Sequence, residues 1–441
     1  MVTASRSQDR GMTLVEIMVT LIISSIIAAS TFMFFAGQQR IYETQTKLLN
    51  IQQNLWAAME VVARYTRASG GGMFECVRPA SYSAAAMNGS RLQSSFPSPG
   101  PLSPSLADAD RPATGVCASN PCGSGMQWIP PLWIVNNSKN EAALNVVTDT
   151  DILTVAFGNR TSGTDVDATL GLNFLATDDP ISLTGTLTGA MFRQWEFILL
   201  LNPGWGFGTD PIVNPARGCT MFQISDNPAT GIVLPHASVV GPEGIAWNPS
   251  GNVPAMLPLG GYIGNAAGVR NFGALTWVTF FIRRVGSGAP NLMMQQRHLG
   301  CASTSGGQPG DPQILAEGIE DLQVSFACDT GWLTAHNLAL PNGQLDEGTD
   351  DATRRLDEWW NNVPNDVLPL PNTDGFCNLP TAIRLTLVAR TLTPDDMIDA
   401  VATGNGPLDV EDHRYSSPRP TDQFRRRVLT TTVFPRNNKP L

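Results

Sequence analysis

Polar and apolar positions divide the chain sharply at its start. Residues 1–11 are polar, and residues 12–36 then run almost unbroken as apolar side chains. At about 1.5 Å per residue, a helix of that length exceeds the roughly 30 Å apolar core of a bilayer. The run is too long for an ordinary secretory signal, and no Ala-x-Ala site follows it. Arg6 and Arg10 precede it, which predicts a cytoplasmic leader and an exported remainder. Past Gly37 the chain turns polar without losing its helical period. Ile41, Leu48, Leu55 and Val62 recur every seven residues, with Ile51 and Met59 on adjoining positions. Such a stripe buries one face of a helix. A free coiled coil is the alternative, but the stripe is short for one. No proline interrupts residues 12–78, and Ser69-Gly70-Gly71-Gly72 predicts a stop near Ala68.

The pattern then changes period. Residues 69–127 are rich in Gly, Ser, Pro and Ala and read as irregular chain. Short alternating or β-branched runs follow at residues 151–157, 195–201, 220–224, 276–285, 322–326, 382–389 and 427–434. No βαβ rhythm appears, which argues against a doubly wound sheet. The expected class is α+β, with an antiparallel sheet packed on the stem helix and a second small β region within residues 158–300. The implied divisions are a leader (1–11), an apolar helix (12–36), an amphipathic stem (37–68), a Gly/Ser/Pro-rich insertion (69–148) and a β-rich head (149–441).

Composition narrows the chemistry. Charged residues are only 15% of the 441, and the formal net charge is −10. An acidic surface repels phosphate backbones, so nucleic acid is not an expected partner. Arg425, Arg426 and Arg427 are too few to reverse that and read as a paired or solvated strand. An exported head would form disulfides among Cys76, Cys117, Cys122, Cys219, Cys301, Cys328 and Cys377, with at least one cysteine left over. Zinc would need a second ligand pair, which His236, His298, His336 and His413 do not supply.

Glu16 does not belong in a plain anchor. A carboxylate in lipid is expensive and is normally kept for a purpose. The segment Gly11-Met12-Thr13-Leu14-Val15-Glu16 resembles the class III leaders of type IV prepilins, with Met12 where Phe is usual. The resemblance implies cleavage between Gly11 and Met12 by a prepilin peptidase, followed by N-methylation of Met12. Glu16 of one subunit would then meet the new amine of another inside the membrane, where each charge needs the other. An ordinary signal anchor is the competing reading.

Further phrases are similar to the PilW family of minor pilins. They are Arg64-Tyr-Thr-Arg-Ala-Ser-Gly-Gly71, Thr150-Asp-Ile-Leu-Thr-Val155, Cys219-Thr-Met-Phe-Gln-Ile224, Gly318-Ile-Glu-Asp-Leu-Gln-Val-Ser-Phe326 and Arg425-Arg-Arg-Val-Leu-Thr-Thr-Thr-Val433. That resemblance implies a low-abundance subunit that primes pilus assembly or sits at the pilus tip. Its partners would be other minor pilins, the major pilin and a PilY-type tip adhesin. It would lie in the bacterial inner membrane with its head in the periplasm, then in the pilus. A pseudopilin of type II secretion and a pilin-anchored adhesin are the alternatives.

Other candidates are thin. Asp346, Glu347, Asp350 and Asp351 could offer oxygen ligands to Ca²⁺, but their spacing does not fit an EF-hand. Trp359 and Trp360, with Trp332 nearby, read as core or as a sugar- or protein-binding surface. No nucleophile elbow, zinc-protease helix or phosphate loop is present. Neither an enzyme nor a cofactor is expected.

Overall fold

The computed structural model describes residues 13–71, 92–94, 132–135, 146–158, 169–170, 181–184, 192–201, 219–227, 233–235, 237, 239, 241, 268–286, 288–299, 310–327, 333–334, 337–338, 359–360, 367–368, 382–395, 410 and 422–435. The chain divides into two compact units, Met1–Gln53 and Asn54–Leu441. One helix, α1 (Leu14–Arg67), is followed by β1 (Leu92–Ser94), β2 (Leu132–Val135), β3 (Ile152–Gly158), β4 (Thr169–Leu170), β5 (Ile181–Thr184), β6 (Phe197–Leu201), β7 (Cys219–Gln223), β8 (Val233–Leu234) and β9 (Gly268–Gly273). Then come β10 (Leu275–Arg284), β11 (Pro290–Leu299), β12 (Gln313–Glu317), β13 (Ile319–Ala327), β14 (Leu333–Thr334), β15 (Asn337–Leu338), β16 (Trp359–Trp360), β17 (Val367–Leu368), β18 (Ala382–Arg390) and β19 (Arg426–Val433). Each run expected to be a strand coincides with one within a few residues.

In the first unit the described chain is helical from Leu14 onward. Its apolar side chains face outward, Leu14 and Phe32 each 75% exposed. Three hydroxyls on this stretch are spent internally. Thr20 Oγ1 donates to the Glu16 carbonyl at 2.9 Å, Ser25 Oγ to Ile22 at 2.7 Å and Ser30 Oγ to Ile27 at 2.9 Å. A helix whose polar groups are satisfied within itself can enter hydrocarbon without orphaned donors. This one is long and apolar enough to cross a membrane.

In the second unit the end of α1 buries Leu55, Ala58, Met59, Val62 and Ala63. Tyr65 sets its ring 6.0 Å from Phe157 and 5.8 Å from Phe280, and its hydroxyl accepts a 3.1 Å hydrogen bond from Gln296 Nε2. The helix stops at Arg67, one residue before the expected Ala68. Gly70 takes a left-handed φ of 69°, and its N–H donates to Ala156 at 2.9 Å. Gly158 N–H donates back to Gly71 at 2.8 Å, so the glycine stop is stitched to both ends of the same strand segment.

That strand, β3, belongs to a six-stranded antiparallel sheet ordered β12-β11-β10-β3-β2-β17. β10 is its spine: Val278, Phe280 and Ile282 share the face that meets Tyr65, and all are fully buried. On the other face Phe281 and Met293 join Ile152 and Val146 in a small apolar cluster. A second antiparallel sheet runs β16-β13-β18-β19. The region 158–300 contributes β6, β7 and β9 to a third sheet, and β4, β5 and β8 to a small fourth.

Two differences from expectation have physical causes. β1 falls inside the stretch read as irregular (69–127) and β2 inside the insertion drawn from 69 to 148, and β2 is an internal strand of the main sheet. Leu132-Trp-Ile-Val135 is too short to show an alternation, so pairing with β3 rather than its own pattern makes it a strand. β1 pairs with β7 in parallel, not antiparallel. A parallel pair needs a long connection, and the chain between residues 94 and 219 supplies one.

Gly318 carries the chain from the main sheet into the second. Its N–H donates to Pro290 at 2.9 Å, and its carbonyl accepts from Arg390 N–H at 2.8 Å. Its φ is 77°, and a Cβ there would lie 2.8 Å from the Arg390 carbonyl oxygen. Only glycine fits that turn.

Candidate functional site

The amino-terminal motif begins with a helix cap. Thr13 Oγ1 accepts from Glu16 N–H at 3.3 Å, and Glu16 Oε2 accepts from Thr13 N–H at 2.9 Å and from Thr13 Oγ1 at 3.1 Å. This is the reciprocal Thr-x-x-Glu capping box. In the single chain the Glu16 carboxylate therefore has a local use at the positive end of α1. Gly11 and Met12, the expected cleavage and methylation positions, lie outside the described residues.

The second site is ionic and lies in the head, where Arg425 precedes and Arg426 begins β19. Arg426 is 4% exposed and grips two carboxylates. Its Nε lies 2.5 Å from Glu320 Oε1 and its Nη2 3.3 Å from Glu320 Oε2. Nη1 and Nη2 reach the two Asp422 oxygens at 2.7 and 2.5 Å. Arg390 Nε stands 3.9 Å from Glu320, with the Arg390 guanidinium 4.1 Å from the centre of the Phe424 ring. Arg425 pairs with Asp395. Arg427 is exposed.

Burial sets the electrostatics of this group. Desolvation pushes Glu320 above the ordinary carboxylate value, although hydrogen bonds and charge from Arg426 pull it back. Burial also pushes Asp422 up. There the hydrogen bonds from Arg426 and the Phe424 N–H, with the Arg426 and Arg390 charges, outweigh it and leave the carboxyl low. Arg426 loses to desolvation but gains more from its two carboxylates, and it stays charged at any ordinary pH. Arg425 and Arg426 are thus spent on this protein's own carboxylates.

The same strands are tied a second time. Asp151, just before β3, donates its N–H to Leu322 at 2.9 Å and accepts from Val324 N–H at 2.7 Å through Oδ2. Gln323 Nε2 donates to Asp149 at 3.1 Å and to Asp321 Oδ1 at 2.9 Å. The phrases beginning at Thr150, Gly318 and Arg425, far apart in sequence, therefore meet at β13.

Several expected positions fall elsewhere. Cys76, Cys117, Cys122, Cys301, Cys328 and Cys377 lie outside the described residues, as does the side chain of Cys219 in β7. Asp346, Glu347, Asp350 and Asp351 lie outside as well. Trp359 and Trp360 form β16 through their backbones, opposite Ala327 and Phe326. Among the described residues no cluster of His, Cys, Asp or Glu could hold a metal. His298 is exposed and sits 3.1 Å from Thr276 Oγ1. The capping box was readable as Thr-x-x-Glu before an apolar run. The Glu320–Arg426 pairing had no local signal.

Comparison with known proteins follows this geometry. Residues 6–32 match the model of the prokaryotic N-terminal methylation motif. With the anchor-length helix and the sheets that follow it, this defines a type IV pilin-like protein. Residues 279–437 match the model of the type IV pilus-assembly protein W. Together the two matches support a likeness to the PilW family, the family match running over the strands from within β10 to β19. Among solved structures the chain is similar to the type IV-like pilin TTHA1219 from Thermus thermophilus, at 17% identity over 40% of this chain and 69% of that one. The TM-score is 0.18, too slight a likeness to carry an argument. No curated protein matches the chain.

Proposed function

We propose that this chain is a minor pilin, cut by prepilin peptidase between Gly11 and Met12, methylated at Met12, and used to start or tip a type IV pilus. The observation that carries the reading is the methylation motif lying across Gly11 and Glu16 at the head of a membrane-length helix. Cutting after Gly11 frees the amine of Met12, two residues before α1 begins at Leu14. Glu16 then exchanges its contact with Thr13 for the amine of a neighbouring subunit, and each charge loses its solvation cost only on meeting the other. The head stays in the periplasm, with other minor pilins, the major pilin and a tip adhesin as its partners. Its role is structural rather than enzymatic.

Processing and incorporation are separable tests. Gly11→Ala abolishes cleavage, and mass spectrometry finds the leader retained. Glu16→Ala is still cleaved but is depleted from sheared pili. Recovery of the wild-type chain from membranes with its first eleven residues attached, in cells that make normal pili, refutes the reading.

A further inference from the structure

The sheets of the head end in strands of unequal quality. Among the described residues β16 and β17 are two residues long and β1 is three. β12 is broken from its partner by a bulge between Leu292 and Met293, and β9 by an irregularity between Phe197 and Ile198. β19 differs from all of them. Its residues pair with β18 in an unbroken register from Ile383 opposite Val433 to Arg390 opposite Arg426, and no described strand lies on its far side.

The register shows which groups face outward. Thr391 N–H donates to the Arg425 carbonyl at 2.9 Å. Antiparallel pairs alternate, so Arg427, Leu429, Thr431 and Val433 also turn their backbone toward β18. Arg426, Val428, Thr430 and Thr432 turn their N–H and C=O away from it. Among the described residues nothing pairs with this side, and Val428 is 41% exposed, with Arg427, Thr430 and Thr432 exposed too. Proteins usually blunt such an edge with proline, a bulge or an outward lysine. β19 has no proline and no bulge, and the Arg426 side chain is drawn inward by Glu320 and Asp422.

We propose that β19 is a docking edge that takes an extended segment of a different protein chain as a further strand of the β16-β13-β18-β19 sheet. Four outward backbone pairs fit an extended segment, since no helix can meet that row of donors and acceptors. Leu429 and Thr431 are half-buried on the sheet's apolar face and ask for apolar side chains at alternate positions. Exposed Phe434 follows directly on the carboxy-terminal end of β19. The guanidinium of Arg427 asks for a carboxylate near the incoming strand's matching end. β19 itself contains no acidic residue, so a second copy pairing edge to edge could not supply one. The occupant is therefore an acidic, alternating strand from another subunit. That last identification rests on the filament role proposed above, whereas the edge chemistry does not.

The test uses the full chain in cells that make it. Photoreactive benzoylphenylalanine in place of Val428 is expected to give an adduct in an extended, carboxylate-bearing segment of another chain, mapped by mass spectrometry. Thr430→Pro removes one outward N–H and no backbone hydrogen bond to β18, but it also loses the 3.1 Å hydroxyl contact with Thr386, as Thr430→Ala does. The melting temperatures of the two purified variants stay within a few degrees of each other, while the adduct falls at least tenfold in Thr430→Pro alone. Arg427→Glu lowers the adduct several-fold, and Arg427→Lys restores most of it. An undiminished adduct in folded Thr430→Pro overturns the proposal, as does an adduct mapped to a second copy of this chain or to lipid. A wild-type chain missing from sheared pili but giving the Val428 adduct in membranes would refute the filament role and leave the docking edge standing.

Discussion

Replacing Arg426 by methionine isolates the worth of the buried ionic group. Met keeps much of the stem volume but leaves Glu320, 8% exposed, without its two-pronged partner. Removing one member of a buried pair typically costs about 3–5 kcal/mol. Two features pull this case toward about 3 kcal/mol: Arg390 remains 3.9 Å from Glu320, and Glu320 can take up a proton. At ~2.1 cal/mol/K per residue, a unit the size of Asn54–Leu441 unfolds with roughly 0.8 kcal/mol/K, so the melting temperature should fall by about 4 °C. Calorimetry on the detergent-solubilised full chain reads this directly. The pH dependence carries the sign of the argument. Glu320 in the fold already titrates above its ordinary value, and losing Arg426 raises it further. Stability from such a group is present below the unfolded value and lost as pH rises through the folded one. The deficit of Arg426→Met should therefore be larger at pH 8 than at pH 5. Asp422, depressed in the wild type, contributes the opposite slope, lost as pH falls, and Arg426→Met removes the hydrogen bonds that depress it. Glu320→Met added to Arg426→Met should recover at least half the loss, because no buried carboxylate is then stranded. A deficit below 1 °C, or one independent of pH, would refute the reasoning.

Other outcomes follow from the crossings between sheets. Gly318→Ala should destabilise by about 1–3 kcal/mol, since it forces a side chain to φ 77° against the Arg390 carbonyl, and thermal melting checks it. Asp151→Ala strands the Val324 N–H and should cost about 1–3 kcal/mol, with faster amide exchange at Val324 than in the wild type. Tyr65→Phe keeps the ring contacts but leaves Gln296 Nε2 without the hydroxyl, for a loss of about 1 kcal/mol in the same melting assay.

What could be read from the sequence depended on how local its cause was. The stem was readable because Leu55 and Val62 recur on one helical face and the glycines after Ser69 end it. β10 and β18 were readable because long β-branched and aromatic runs mark buried strands. β11 was not. It opens on Pro290 and passes through Gln295, Gln296, Arg297 and His298, a polar run with no strand signature. Its strand state comes from being held between β10 and β12. Glu320 and the terminal arginines each stood inside a legible phrase, yet their contact spans 106 positions, and nothing in either phrase names the other. Asp395 and Asp422 sit in connections whose composition looked like any loop.

The fastening of β19 to β18 and Glu320 also sets an order of events in folding. β19 follows β13 and β18 along the chain, so the sheet they share cannot close until the residues from Arg426 onward are available to it. A polypeptide cut short before Arg426 would keep its first helix yet leave Glu320 buried without its guanidinium and β18 as a raw edge, which makes it a substrate for quality-control proteases.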